Sequence, residues 1–320
     1  MPEFLVEPMT RRSVQLTLDW AAREGWNPGI HDADAFFAAD PGGFFRATLL
    51  QGSDKQAVTA LEISRTAPER QAGFDDGGPD DSMMLGAISS VAYGDRFGFI
   101  GLFIVDPSHR GRRVGKVLAE AALERLGTQR VIGVDGVLQK AGQYKSIFGF
   151  EHAWTNIRHE CQPGGDKAQL PPGIECVPLA QNHLDAVQAI DLEMFMAPRP
   201  EFLRRWLSPS PHEGGRAMVC VEDGIVNGYG VIRPCVTGFK IGPLFARTPR
   251  AGRALYHALT AHIALDTRVW MDIPDVNFEA MAFAQSLGMR ECFRTARMYR
   301  GGEWPLPARH IWGVTSLELG

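Results

Sequence analysis

Residues Val105 to Leu123 read VDPSHRGRRVGKVLAEAAL. The apolar run FIGLFIV (99–105) stops at Asp106-Pro107, and a loop of arginines and glycines follows. Beyond it, Val114, Val117, Leu118, Ala121 and Ala122 recur at the helical period and share one face. The order is strand, basic loop, helix. At such a helix start the free N–H groups point outward and the helix dipole favours an anion. Glycine lets a phosphate approach the backbone, and arginine adds charge-assisted donors. The competing reading is a solvated basic turn. Two other phosphate motifs do not fit. Gly111 and Gly115 are one residue too close for a P-loop, and Val117 stands where its hydroxyl belongs. The G-x-G-x-x-G fingerprint of dinucleotide folds is absent.

Working outward, the chain is an α/β (α+β) chain in two similar halves. In the first half, helical patterns at Val14–Glu24 and Asp32–Ala39 precede apolar runs at Ala57–Ile63, Met83–Tyr93 and Phe97–Val105. A helix over Gly111–Leu126, a strand over Arg130–Val134, a helix over Leu138–Phe148 and a strand over His152–His159 follow. The second half repeats the order. It has helices at Leu179–Glu193, Ala251–Leu265 and Asn277–Leu287, and strands at Ala217–Glu222, Gly228–Pro234, Lys240–Phe245, Arg268–Ile273 and Glu291–Tyr299. The final strand of each half carries a late arginine, Arg158 and Arg297. The Gly- and Pro-rich stretch between His159 and Cys176 reads as a linker. The expected units are 1–160, a linker at 161–175 and 176–320, each unit a mixed twisted sheet flanked by helices.

The 320 residues are 45% hydrophobic with a net charge of −4, which is globular composition and offers no basic stripe for nucleic acid. No segment approaches the ~20 apolar residues of a membrane span, and the N-terminus lacks a signal-peptide pattern. The 5 cysteines include no C-x-x-C pair, which suits free thiols and a cytoplasmic location. His257 and His262 miss the H-E-x-x-H spacing, so no metal is expected.

The order strand, V-D-P-x-x-R-G-x-x-x-G, helix, strand, helix, G-F resembles the GNAT acyltransferase superfamily. Its pyrophosphate loop is usually [RQ]-x-x-G-x-[GA]; Arg110 and Gly115 fill the outer positions here, and Arg113 replaces the middle glycine. The phrases EGWNPGIHDADAFFAADPGGFF (24–45), VAYGDRFGFIGLFIV (91–105), IGVDGV (132–137), RPCVTGFKIGPLFA (233–246) and GVTSLELG (313–320) are similar to those of YitH-like bacterial tandem GNAT proteins. The resemblance implies two tandem GNAT-like domains and an acetyl-CoA-dependent N-acetyltransferase acting on a small-molecule amine. The alternatives are a sensor that binds acyl-CoA without turnover, or an enzyme with a longer acyl donor or a protein-amine acceptor. No nucleic acid or membrane partner is implied, and the chain would be a monomer or homodimer.

The same resemblance assigns roles. Arg110, Gly111, Arg112, Arg113, Val114, Gly115 and Lys116 would surround the pyrophosphate of coenzyme A. The backbone of Phe103, Ile104 and Val105 would hold its pantetheine arm. Tyr144, in QYKSIFGF, is the candidate acid for the departing thiolate, since a phenol suits a thiol leaving group. Packing is its other reading. The run Phe97–Val105 carries no acid, so no base is evident there, and water-mediated deprotonation is favoured. Asp135 lies near a strand's C-terminal end, where α/β sites collect, but could equally cap a turn. Trp26, Asn27 and Asp32 could face a cationic amine or form a rigid turn and helix cap. In the second half ARTPRAGRALYHAL (246–259) lacks the glycine pattern, and Pro249 removes an N–H donor. That half reads as a degenerate copy that shapes the acceptor site, with Arg233 and Lys240 as candidate contacts.

Overall fold

A computed structural model describes residues 4–49, 84–163 and 172–320. The strand expected at Ala57–Ile63 lies outside them. The first half runs β1 (Phe4–Pro8), α1 (Arg11–Arg23), α2 (Asp32–Ala39), β2 (Phe44–Leu49), β3 (Met84–Tyr93), β4 (Phe97–Val105), α3 (Val114–Leu126), β5 (Val131–Val137), α4 (Ala141–Phe148) and β6 (Glu151–Cys161). The second runs β7 (Ile174–Pro178), α5 (Leu184–Phe195), α6 (Pro200–Trp206), β8 (Arg216–Glu222), β9 (Ile225–Pro234), β10 (Phe239–Ala246), α7 (Pro249–Thr260), β11 (Val269–Pro274), α8 (Phe278–Ser286), β12 (Arg290–Arg300) and β13 (Ile311–Gly313).

Local chemistry accounts for most of these elements. β3 and β4 are nearly continuous apolar runs because both of their faces are covered. The Thr10 hydroxyl accepts from the Ser13 N–H at 3.2 Å and starts α1. Thr248 does the same for Ala251 at 3.1 Å, with Pro249 preset for the first turn of α7.

All the described strands join one mixed 13-stranded sheet in the order β1-β2-β3-β4-β5-β12-β6-β11-β10-β9-β8-β7, with β13 on β10. The two halves exchange their last long strands. β12, from the second half, lies antiparallel between β5 and β6, and β6, from the first, lies antiparallel beside β11. The register sets Arg297 opposite Asp135 and Arg158 opposite Asp272. The sheet is therefore continuous across the linker region, and neither half completes its own.

Two layers of core follow. On one face α3 packs Val114, Leu118, Ala122 and Leu126 against Ile88, Ile100 and Ile132. On the other, residues of both halves share one cluster. Phe97 stacks on Trp304 with centroids 4.5 Å apart, and Tyr93 meets Phe195 edge-on at 4.8 Å.

The two parallel strand pairs both open into wedges. β4 pairs with β5 only from Phe97 to Ile100, and Leu102 then turns to a φ of +45°. β10 pairs with β11 only from Phe239 to Ile241. In the second half β13 enters the gap and pairs Leu244 with Gly313 and Phe245 with Ile311. The C-terminal tail crosses both places. A Cβ on Gly242 would lie 2.6 Å from the Thr315 carbonyl oxygen, and one on Gly101 would lie 1.8 Å from that of Glu318. Only glycine admits the tail at either position.

Candidate active site

The basic loop leads into α3 as an open, exposed cationic turn. The Asp106 carboxylate accepts from the Ser108 N–H at 2.9 Å and fixes the turn after β4. Arg110 is tied back, its Nε donating to the Val105 carbonyl at 3.0 Å and its Nη2 to Glu24 at 2.5 Å. Gly111 has φ +79°, and its space is open. Arg113 stands immediately before α3 at φ +70°. The residue that replaces a glycine thus keeps the left-handed backbone a glycine would favour, at a cost of roughly 1–2 kcal/mol. No side chain caps the first turn of α3, so the N–H groups of Val114, Gly115 and Lys116 lack intrahelical acceptors. Arg112 and Arg113 are exposed and form no ion pair among the described residues, while Lys116 reaches Glu120 at 3.6 Å. Gly115 packs closely on β4: a Cβ there would lie 3.2 Å from the Phe103 ring and 3.4 Å from Val105.

Behind this loop, β4 from Gly101 to Val105 has no ladder to β5. The backbone of Phe103, Ile104 and Val105 is on this strand, beside the wedge. Tyr144 covers β5 from α4. Its ring lies where a side chain on Gly136 would go, with Cε2 only 2.6 Å from a Cβ built there. It meets Phe150 edge-on at 6.2 Å. Burial pushes its phenol up to about 12, so the hydroxyl holds its proton at neutral pH.

The expected acceptor residues are brought together, but largely as a seam between the halves. Asp32 grips Arg233, with Oδ1 accepting from Nε at 2.7 Å and Oδ2 from Nη2 at 3.2 Å. Arg233 also lies over Trp206 at 4.2 Å. Asn27 and Thr237 exchange two hydrogen bonds, at 3.0 and 2.9 Å, pinning the α1–α2 loop to the β9–β10 turn. The Trp26 carbonyl accepts from Arg158 Nη1 at 2.7 Å and from Lys240 Nζ at 3.4 Å. Lys240 is buried, and that burial pushes its ammonium below the usual lysine range. Asp135 is gripped by Arg297 at 2.7 and 2.6 Å and accepts from Asn156 at 2.8 Å, leaving its side chain wholly buried.

Asp32, Asp135 and Arg233, the candidate acceptor contacts, are each engaged in an ion pair across the fold. Long-range partners claim them, because an unpaired charge at this depth is costly. One atom escapes that pairing: Arg233 Nη1 is buried without a hydrogen-bond partner among the described residues. Sequence reasoning gave no site role to Arg158 and Asp272, paired at 2.7 and 2.9 Å, or to Glu318, whose main chain the tail places against Gly101. The late arginines of the final strands were the available signal for the first pair.

Among the described residues no helix is long and apolar enough to cross a membrane. Residues 55–147 match the acetyltransferase (GNAT) family, and 187–313 match an acetyltransferase (GNAT) domain. A holothin acyltransferase of Pseudoalteromonas sp. is 26% identical over 315 residues, covering 98% of this chain and 94% of that protein. Among solved structures, a protein of Pyrococcus horikoshii proposed to be an acetyltransferase superposes with a TM-score of 0.72 at 18% identity, covering 100% of this chain and 97% of its own. A tandem GNAT protein from the clavulanic acid biosynthesis pathway gives 0.59 at 15% identity, covering 95% and 100%. With a GNAT match in each half and this shared fold, the chain belongs to the GNAT superfamily, as a transferase of the acyltransferase type.

Proposed function

We propose that the chain is an N-acetyltransferase that moves the acetyl group of acetyl-CoA to a small amine, with the donor held by the first half. The observation that carries this reading is the wedge between β4 and β5 behind an uncapped, cationic helix start. Arg110, Gly111, Arg112, Arg113, Val114, Gly115 and Lys116 hold the pyrophosphate. The backbone of 103–105 carries the pantetheine arm. The amine nitrogen attacks the thioester carbonyl and gives up its proton through water, the C–S bond breaks, and Tyr144 gives its proton to the departing thiolate.

One coenzyme A binds per chain. The second wedge is filled by β13, and Pro249 opens α7 without the donor the first helix offers. The second half serves the acceptor side instead.

Calorimetry with coenzyme A and a free-thiol assay test this together. The expected result is a stoichiometry of one, abolished by Gly115→Asp, which puts bulk and negative charge into the cradle. Thiol release from acetyl-CoA with a primary-amine panel then identifies the enzyme. Holothin, the acceptor named for the similar acyltransferase, belongs in that panel. Binding without thiol release would favour a sensor, and faster release from longer acyl-CoA would move the donor class.

A further inference from the structure

Two of the 5 cysteines stand opposite each other on neighbouring strands: Cys176 on β7 is the register partner of Cys220 on β8. Antiparallel partners alternate between hydrogen-bonded pairs and closer, non-bonded pairs. The ends of this ladder show which kind these are. The Leu179 N–H donates to the Ala217 carbonyl at 2.9 Å, and the Asp223 N–H donates to the Gly173 carbonyl at 3.0 Å. Both bonds join directly opposite residues, so the bonded pairs fall on the odd-numbered positions of β7. Cys176 and Cys220 are therefore a non-bonded pair. Such partners have Cα atoms about 4.5 Å apart and side chains on one face. That separation lies within the roughly 4.4–6.8 Å a disulfide spans.

Their shared face is the one that α7 covers. Cys220 is buried in the cluster that holds Met218, Ala251 and Leu255, and Cys176 packs half-buried against it. Among the described residues no strand lies beyond β7, so Cys176 is approached from the edge of the sheet. The two thiols dominate each other: Cys220 pushes Cys176 up, and Cys176 holds Cys220 low. Such a pair loses its first proton as a unit. The other thiols have different neighbours. Cys161 Sγ lies 3.1 Å from Tyr256 Oη, Cys235 Sγ 3.8 Å from the Arg233 carbonyl and Cys292 Sγ 3.6 Å from the Arg158 carbonyl.

We propose that Cys176 and Cys220 form a reversible disulfide, an oxidation site at the outer edge of the second half. The oxidant is the disulfide of a small thiol. The Cys176 thiolate attacks one sulfur of that disulfide, its S–S bond breaks, and the first small thiolate leaves with the proton the pair gave up. The Cys220 sulfur then attacks Cys176 in the mixed disulfide and displaces the second small thiolate, which takes the Cys220 proton. Two protein thiols are oxidised, and one small disulfide is reduced to two thiols. The new bond closes the segment from Cys176 to Cys220, which contains α5 and α6. Those helices bring Phe195 and Trp206 against Tyr93 and Phe36 of the first half. Closing that segment takes freedom from the unfolded chain, so the oxidised form should be the more stable one.

The test uses the full chain, treated with oxidised glutathione or with dithiothreitol, then alkylated and mapped by mass spectrometry. Oxidation should consume two of the 5 thiols, lower the intact mass by two hydrogens and yield a peptide linking Cys176 to Cys220. The thermal midpoint should rise by about 5 °C and return with dithiothreitol. Cys176→Ser and Cys220→Ser should each lose the link and the shift. Mapping on the parent decides the matter even where a variant folds poorly. A parent that keeps all its thiols, a link through another cysteine, or glutathione retained on Cys176 without ring closure would overturn the assignment. So would an oxidised chain that melts below the reduced one, since the strands would then not fit the bond.

Discussion

Arg297 on β12 holds Asp135 on β5 at 2.7 and 2.6 Å, and Arg158 on β6 holds Asp272 on β11 at 2.7 and 2.9 Å. The two pairs are counterparts. In each, the arginine of one half's last long strand is fastened to an aspartate near the wedge of the other half. The exchange of strands is thus locked by charge in both directions, at the two points where the sheet opens.

Breaking one of these pairs should destabilise the whole chain. Asp135→Asn leaves Arg297 buried and uncompensated, with an expected loss of about 3–5 kcal/mol. The urea midpoint measures it. The double variant Asp135→Leu/Arg297→Met should lie closer to the parent than either single change, because replacing a buried pair by apolar groups is far less costly than orphaning one member.

Acid should act through Asp272. Burial pushes its carboxyl up, but the charge and hydrogen bonds of Arg158 outweigh that and hold it below the usual range. The unfolded chain, with an aspartate near 3.9, binds this proton first as pH falls. The pair's contribution is therefore full above about pH 4–5 and fades below it. Stability measured from pH 7 to pH 3 should drop more steeply in the parent than in Asp272→Asn, which starts lower and lacks this step.

Much of the fold was legible from periodicity. α2 at Asp32–Ala39 and β4 at Phe97–Val105 fall where the pattern placed them, since one face or both faces of each element meet core. The five-residue strands β1 and β7 and the three-residue β13 carry too few residues to show a period. The pairing of β12 with β5 was hidden for another reason: Arg297 stands 162 residues from Asp135, and a strand's pattern does not name its neighbour. At the candidate site, the basic loop was legible as a unit because its residues are contiguous. The seam was not, because Asp32 and Arg233 become partners only through the fold. Glu318 sat in a tail with no period at all.

Arg113 offers a test that separates backbone from charge. Arg113→Gly relieves the left-handed strain at φ +70° and should raise stability by about 1 kcal/mol. It also removes a cation from the cradle. Thermal melting should shift upward while calorimetry shows weaker coenzyme A binding, an uncommon combination for one substitution.

Tyr144→Phe should lower kcat by about 10²–10⁴-fold and leave coenzyme A affinity nearly intact. With its phenol pushed up to about 12, the parent should show no alkaline loss of kcat from this group below about pH 11. Single-turnover thiol release across pH gives both readings. A variant that melts early instead would place the ring over Gly136 as packing alone.

The strand exchange also bears on how the protein is made. During synthesis β5 leaves the ribosome long before β12, which completes its side of the sheet. Until then the outer edges of β5 and β6 have no neighbour, and an open edge is a template for wrong pairing. The first half cannot finish folding while the second is still being translated, so the usual advantage of folding one domain at a time is lost. What the cell gains on completion is a chain whose halves cannot come apart without unzipping the sheet they share.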